Sequence, residues 1–365
     1  MASFRNIATG LVAGALLATG SAVPASGKSF YKGRTVNVII NYGAGGNTDI
    51  QIRSLLRFMR NHFKDGSPRF VLRHLPGAGG IVGANYLAEV AKNDGYTIGG
   101  FTIPIMGQVM KDPAMRADLS KFGMVGSLAQ QTIAHVRKDF GPGINKPLDI
   151  LKITTPIKTA GHGPASSKDL RLRMFMNLLK LPFSHVTGYK GASKIRAAIM
   201  KNEVQLTEDS LTGYVARVKP QLIDTGVSIP LWHVGHPTAD GGLRRSHTVA
   251  ADIPMFLDIY QAKYGKGKRP KGLMWDAIVH IAKTREMLRS VFLPVGAPKK
   301  ALAELRAAWD ITMADQAYKE EYRKLNASPL IAYDGPTATK MMADAVTVKP
   351  VLQKWLLDFA DKARK

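Results

Sequence analysis

The alternation of apolar and polar positions divides the chain at its start. An apolar stretch from Ile7 to about Ala18 follows Arg5 and ends in the small-residue run Ser21, Ala22, Val23, Pro24, Ala25, Ser26. This is the layout of a cleavable secretory signal, so residues 1–25 are read as a signal peptide cut near Ala25. The stretch is shorter than the roughly 20 residues that cross a bilayer. Residues 35–41 (TVNVIIN) are rich in β-branched side chains and run into glycines, which predicts a buried strand feeding a tight turn. A helix follows: Asn47 or Thr48 can cap it, Asp49 suits its first turn, and Leu55, Leu56, Met59 and Phe63 share one face. The cycle repeats, with a strand at 70–72, a turn at 76–80 (PGAGG), a helix at 81–91 and a third strand at 96–102. Strand, glycine turn and helix with such short spacers predict a parallel sheet with right-handed crossovers.

Residues 124–136 read as a path into a second lobe, followed by a loop at 139–147. Residues 153–159 lead to AGHGPASS at 160–167 and then a helix with Leu170, Met174, Leu178 and Leu179 on one face. HVTGYKG at 185–191 precedes another helix at 193–201, and a short strand at 204–206 ends at Thr207, Glu208, Asp209 and Ser210. Glycine, proline and polar residues at 235–242 mark the return crossing. Beyond it come a helix at 273–288, a strand at 291–294, a helix from Pro298 with Leu302, Leu305 and Trp309 on one side, and a last helix at 336–345. The expected division is 26–126 with 240–365 as one lobe and 127–239 as the other.

Composition narrows the class. At 365 residues and 45% hydrophobic content the chain exceeds one ordinary core, which favours two lobes. The 51 lysines and arginines against 27 acids give a net charge of +24, a field that attracts anions of any kind. An exported nucleic-acid-binding protein is therefore a rival. Against it, the basic residues are dispersed, aromatics are 8% of the chain, and no stacking or groove-reading motif is present. The densest run, KYGKGKRPK at 263–271, reads as a solvated loop. There is no cysteine, so thiolate chemistry, disulfides and cysteine metal sites are excluded.

The strongest local feature is the pair of strand-to-helix turns, YGAGGNTD at 42–49 and PGAGG at 76–80. Glycine lets backbone approach a ligand, and free amides at a helix start form an anion site that suits a carboxylate. Neither turn fits the dinucleotide pattern GxGxxG, since the sixth residues are Thr48 and Val82, and neither carries a Walker lysine. No GxSxG elbow exists, and Ser166-Ser167-Lys168 lacks SxxK spacing, so no nucleophile is singled out. An enzyme on the same two-lobed fold remains an alternative, because fold does not fix function. His233, His236 and Asp240 are a weak metal-ligand set, since Gly235 and Pro237 break any shared helix face. No metal and no cofactor are expected.

With these motifs in hand, the chain resembles the Bug-type periplasmic solute-binding proteins of tripartite tricarboxylate transporters. The resemblance rests on YGAGGNTD, PGAGG and DGYT at 94–97 in the family's order and spacing. It is extended by HVTGYKGASK at 185–194, EVQL at 203–206 and LPVGAPKKALAEL at 293–305. Residues 105–160 and 240–288 match loosely. Gly43 and Ala44 stand where the family has proline, His74 and Leu75 where it often has Asn-Arg, and Gly188 is inserted before Tyr189. The resemblance implies an α/β, two-lobed Venus-flytrap fold, type II-like, each lobe a sheet flanked by helices. It implies a monomeric periplasmic receptor for a small carboxylate, partnered by integral-membrane permease subunits and not by nucleic acid. One carboxylate would be held by Tyr42, Gly45, Gly46, Asn47, Asp49, Gly77, Ala78, Gly79 and Gly80. The second lobe would offer Tyr189, Gly191, Ala192, Ser193 and Asp209.

Each residue also has a plainer reading. Asp49 can serve its helix's first turn, Gly79 and Gly80 packing, and Tyr189 a half-buried core position. His162, in a glycine-flanked turn, is either an anion donor or a surface histidine. Thr102 and Pro104 border the cleft if the sheet is parallel, since ligands sit at the carboxyl ends of strands. Selectivity is expected to rest on amides and hydroxyls more than on a buried arginine, because the matched turns contain none.

Overall fold

Two mixed sheets organise the chain, and the β-branched run at its start forms the axis of the first. The computed structural model describes residues 29–238 and 240–363. The signal-peptide reading of residues 1–25 lies outside the described residues. In the first sheet, β1 (Thr35–Ile40) pairs in parallel with β2 (Arg69–His74) and β3 (Thr97–Thr102), in registers Thr35↔Arg69 and Asn37↔Thr97. The helices Asn47–Met59 and Ile81–Glu89 make the expected crossovers. Helix Asn47–Met59 lies close because β3 offers glycine, and a methyl group at Gly100 would come within 2.8 Å of Ile52.

The chain leaves this sheet along β4 (Gly123–Leu128) and enters the second along β5 (Thr132–Arg137), with only residues 129–131 between them. In the second sheet β6 (Ile157–Ala160) pairs in parallel with β7 (Phe183–Val186) and β8 (Leu206–Ser210). Strand β5 lies antiparallel between β8 and β9 (Ser228–His233). A small hairpin, β10 (His236–Pro237) and β11 (Leu243–Arg244), follows. Helix Phe256–Tyr264 packs on β9, and helix Leu273–Thr284 packs on the second-lobe helix Ser167–Leu178. The chain then returns to the first sheet as β12 (Arg289–Leu293), antiparallel between β3 and β4, and β13 (Ala332–Asp334) pairs with β4 at the edge.

The strand orders are β2-β1-β3-β12-β4-β13 and β7-β6-β8-β5-β9. Each lobe thus carries three parallel strands and then an antiparallel strand beside the third. This is the two-lobed α/β fold of periplasmic binding proteins. The parallel arrangement predicted from the first repeats holds for β1, β2 and β3, and β12 adds an antiparallel strand beside them. Sequence patterning also passed over helices Phe256–Tyr264, Gln316–Asn326 and Pro350–Asp361. The last two pack one apolar side each, Tyr318 and Tyr322 from one, Leu352, Leu356 and Phe359 from the other.

Candidate functional site

The carboxyl ends of β1, β3, β6 and β8 face each other across the lobes, and the turns that follow them close on one another. Gly43 N–H donates to the Lys190 carbonyl across the cleft at 3.0 Å. The Tyr42 ring meets the His162 ring edge-on with centroids 4.9 Å apart, and the Tyr42 hydroxyl donates to the Gly79 carbonyl at 2.7 Å. Burial pushes that phenol well above its ordinary range, so Tyr42 is a neutral donor. Gly79 adopts φ +66, and a methyl group there would come within 2.8 Å of Ser166 Cβ in the second lobe. Only glycine on both sides permits this approach: a methyl at Gly163 would reach Gly79 N at 2.8 Å.

A latch beside these turns joins the lobes by charge. Asn47 Nδ2 donates to Asp209 Oδ1 at 2.6 Å, and Arg196 Nη1 donates to both Asn47 Oδ1 and Asp209 Oδ1 at 3.0 Å. His135 Nε2 lies 3.2 Å from the other Asp209 oxygen. Burial alone would raise the Asp209 pKa, but Arg196 and the His135 bond prevail and hold it below the ordinary carboxylate range.

Between the turns lies a cavity of about 70 Å3 lined by backbone, hydroxyls and cations. Of the positions named from the sequence, Tyr42, Asn47, Gly79, Thr102, Pro104, His162 and Ala192 line it. The remaining named positions stand back. Gly45 N–H donates to Asp49 Oδ2 at 2.9 Å, and Asp49 also binds Arg53 and His74, so its contacts stay within its own lobe. Gly46 caps helix Asn47–Met59, while Gly77, Ala78 and Gly80 shape the turn that presents Gly79. Tyr189 is half-buried against the apolar cluster of the second lobe, and its carbonyl sits 3.0 Å from His162 Nδ1. Gly191 and Ser193 flank Ala192 at the start of helix Ala192–Met200. Asp209 belongs to the latch.

Three residues that sequence reasoning did not single out dominate the cavity's charge: Lys168, Arg285 and Arg289. Two of them are buried arginines, from segments outside the glycine turns on which the sequence reading placed the donors. Arg289 Nη1 donates to Thr102 Oγ1 at 2.7 Å and Nη2 to Ser210 Oγ at 3.1 Å, tying β12 to β3 and to the second lobe. Its Nε, the Nε and Nη2 of Arg285, and Lys168 Nζ are sealed from solvent without a hydrogen-bond partner among the described residues. Burial lowers all three pKa values, Arg289 to about 10 and Arg285 well below the arginine norm. Glu208 is the acid in the lining, and it is engaged by the buried Arg171. Burial and Lys168 push His162 down to about 3, leaving it neutral. Two sequence signals could have found the cations. Lys168 sits in the first turn of helix Ser167–Leu178, where the dipole disfavours a positive charge, and Arg289 opens the fully buried strand RSVFL.

Ser166 Oγ donates to Asp169, and Asp169 Oδ1 lies 2.9 Å from His185 Nε2, so the carboxylate stands between hydroxyl and imidazole, unlike the order in which an imidazole contacts a nucleophilic serine. His233 ends β9, and His236 bonds Glu286 at 2.8 Å and Ser246 at 2.9 Å. Among the described residues no group of three or more His, Cys, Asp or Glu could hold a metal.

No family model matches the chain. The UPF0065 protein in the gbd 5' region of Cupriavidus necator is 27% identical over 227 residues, covering 60% of this chain and 68% of that protein. Among solved structures, the periplasmic binding protein BugD superposes with TM-score 0.66 at 18% identity, covering 90% of this chain and 98% of that one. MatC from Rhodopseudomonas palustris with bound malate superposes with TM-score 0.63 at 17% identity, covering 90% of this chain and 99% of that one. The chain is thus similar to the Bug-type solute-binding proteins in its ordered motifs and shares their two-lobed fold.

Proposed function

We propose that the chain is a periplasmic solute-binding receptor of the Bug type, which captures a small carboxylate between its lobes and presents it to membrane permease subunits. One observation supports the reading: a cavity between two glycine-shaped lobe edges, lined by hydroxyls and by buried cations several of whose N–H groups have no acceptor among the described residues. An anion supplies the missing acceptors. The malate bound by MatC, on the same fold, supports a carboxylate as that anion. Domain closure about the crossing at 129–131 and the segment that returns the chain to β12 would admit and release it. The non-catalytic role is supported by the separation of Ser166 from His185 and by the solute-binding character of the similar proteins.

The test is thermal melting of the mature chain, freed of ligand, against di- and tricarboxylates, aromatic acids, acidic amino acids and short DNA. A ligand at about 100 times its Kd adds about 2.7 kcal/mol to stability, a readily measured shift. A shift with DNA alone, steeply salt-dependent, would overturn the receptor reading.

A further inference from the structure

We propose that the cavity is built for a compact dianion and that Arg285, Arg289 and Lys168 together read its second negative charge. The inference rests on the receptor reading and sharpens it. Lys168, Glu208, Arg285 and Arg289 line the cavity, Arg171, Arg196, Asp169 and Asp209 lie in the charge network behind them, and all of these except Lys168 are at most 5% exposed. Among these described groups, five cations against three carboxylates leave two positive charges uncompensated. The carboxylates are already committed: Glu208 to Arg171, Asp209 to Arg196 and Asn47, and Asp169 to His185, Thr187 and the His162 amide. What remains is Lys168 Nζ, two nitrogens of Arg285 and one of Arg289, all buried and without acceptors among the described residues.

A buried unpaired charge is strongly unfavourable, and an arginine cannot escape it by losing a proton. Structural packing alone gives no reason to gather three such groups at one surface. Their placement supplies one. Arg285 and Arg289 belong to the segment that returns the chain to the first sheet, whereas Lys168 stands on a second-lobe helix. Closing the lobes brings like charges together, and repulsion opposes closure until an anion lies between them. The Gly79 turn and the hydroxyls of Thr48 and Thr102 suit one anionic group, and the cations suit the other. At about 70 Å3 the cavity holds only some five water-sized volumes of about 10–15 Å3 each, so the two charges must be close together.

Titration calorimetry on the mature chain at neutral pH tests this with matched pairs: succinate against succinamate, and malonate against malonamate. Each pair keeps size and removes one charge. The dianion is expected to bind about 100-fold tighter than its monoanion, and Arg289→Met or Lys168→Met to cut that ratio to below about 10. Inorganic phosphate, a single doubly charged oxyanion, is the third arm. If phosphate binds and no carboxylate does, the charge assignment stands and the carboxylate reading falls. Equal affinity within each pair overturns the dianion proposal and leaves the receptor reading intact, and failure of every probe overturns both. Melting of the ligand-free variants separates a structural role. Lys168→Met relieves an uncompensated charge, so its Tm should equal or exceed that of the parent chain. A lower Tm with unchanged discrimination overturns the assignment of Lys168.

Discussion

Replacing Gly79 with alanine separates folding from closure. Gly79 lies at φ +66, where a side chain costs about 1–2 kcal/mol in backbone strain, and its new methyl would come within 2.8 Å of Ser166 Cβ. The strain is present in any lobe arrangement, whereas the clash exists only when the lobes are together. Overpacking of this kind costs about 1–3 kcal/mol, and the protein can avoid it by opening. The full penalty therefore falls on the ligand-competent state and should weaken binding by about 5- to 150-fold, at 1.4 kcal/mol per decade. Gly33→Ala is the control. Gly33 has φ +67 with nothing within 4 Å of its Cβ position, so it carries the same strain without the contact. Both variants should lose a similar few degrees of Tm, while calorimetry with a bound carboxylate shows the affinity loss in Gly79→Ala alone. Equal affinity in the two variants would refute the closure argument, as would a Tm loss in Gly79→Ala far beyond that of Gly33→Ala.

Other consequences are directly measurable. Glu208→Gln strands the buried Arg171 and should cost about 3–5 kcal/mol of stability in urea melts, whereas a loss under 1 kcal/mol would mean that another group balances Arg171. Burial pushes Asp169 up, but bonds from His185, Ser166 and Thr187 outweigh it and hold the carboxyl at about 2. Its folded pKa lies below its unfolded value near 3.9, so its contribution is complete above about pH 5 and drains away between roughly pH 4 and 2. Asp169→Asn should flatten that part of a stability-against-pH curve, and an unchanged slope would remove Asp169 from the account. Gly126→Ala forces a methyl into the Trp309 indole and should destabilise by about 1–3 kcal/mol without changing the relative affinity of different carboxylates.

Elements made by local contacts were legible in the sequence. The β-branched run at β1, the two glycine turns and the strand after DGYT announced themselves because each obeys a short-range rule, and the structure places them within a few residues of expectation. The pairing of β12 with β3 and β4 was not legible. It joins residues about 160–190 positions apart, and no local pattern states which sheet edge a distant strand will enter. The same physics decided what was missed in the site. The glycine turns bring their own amides to a ligand, so a motif can report them. Lys168, Arg285 and Arg289 reach the cavity from two lobes, and their meaning lies in the acceptors they lack rather than in their neighbours along the chain.

That difference bears on how such a receptor acquires selectivity. A turn of backbone amides accepts almost any carboxylate, because every carboxylate offers the same two oxygens. Discrimination has to come from groups that penalise the wrong ligand, and a buried cation left without an acceptor is a strong penalty. In this chain the amide-bearing turns follow β1 and β2, while two of the three cations arrive with the late returning segment. Substitutions at 285 and 289 can therefore change which anion closes the lobes while leaving the early turns intact. Replacing Arg285 with methionine should accordingly shift preference toward monoanions while the Gly79 turn keeps its shape. Calorimetry on succinate and succinamate reads the first outcome, and retention of the Gly33-like Tm response to alanine at Gly79 in that background reads the second. If Arg285→Met lowers affinity for both anions equally, Arg285 holds the cleft together rather than selecting its ligand.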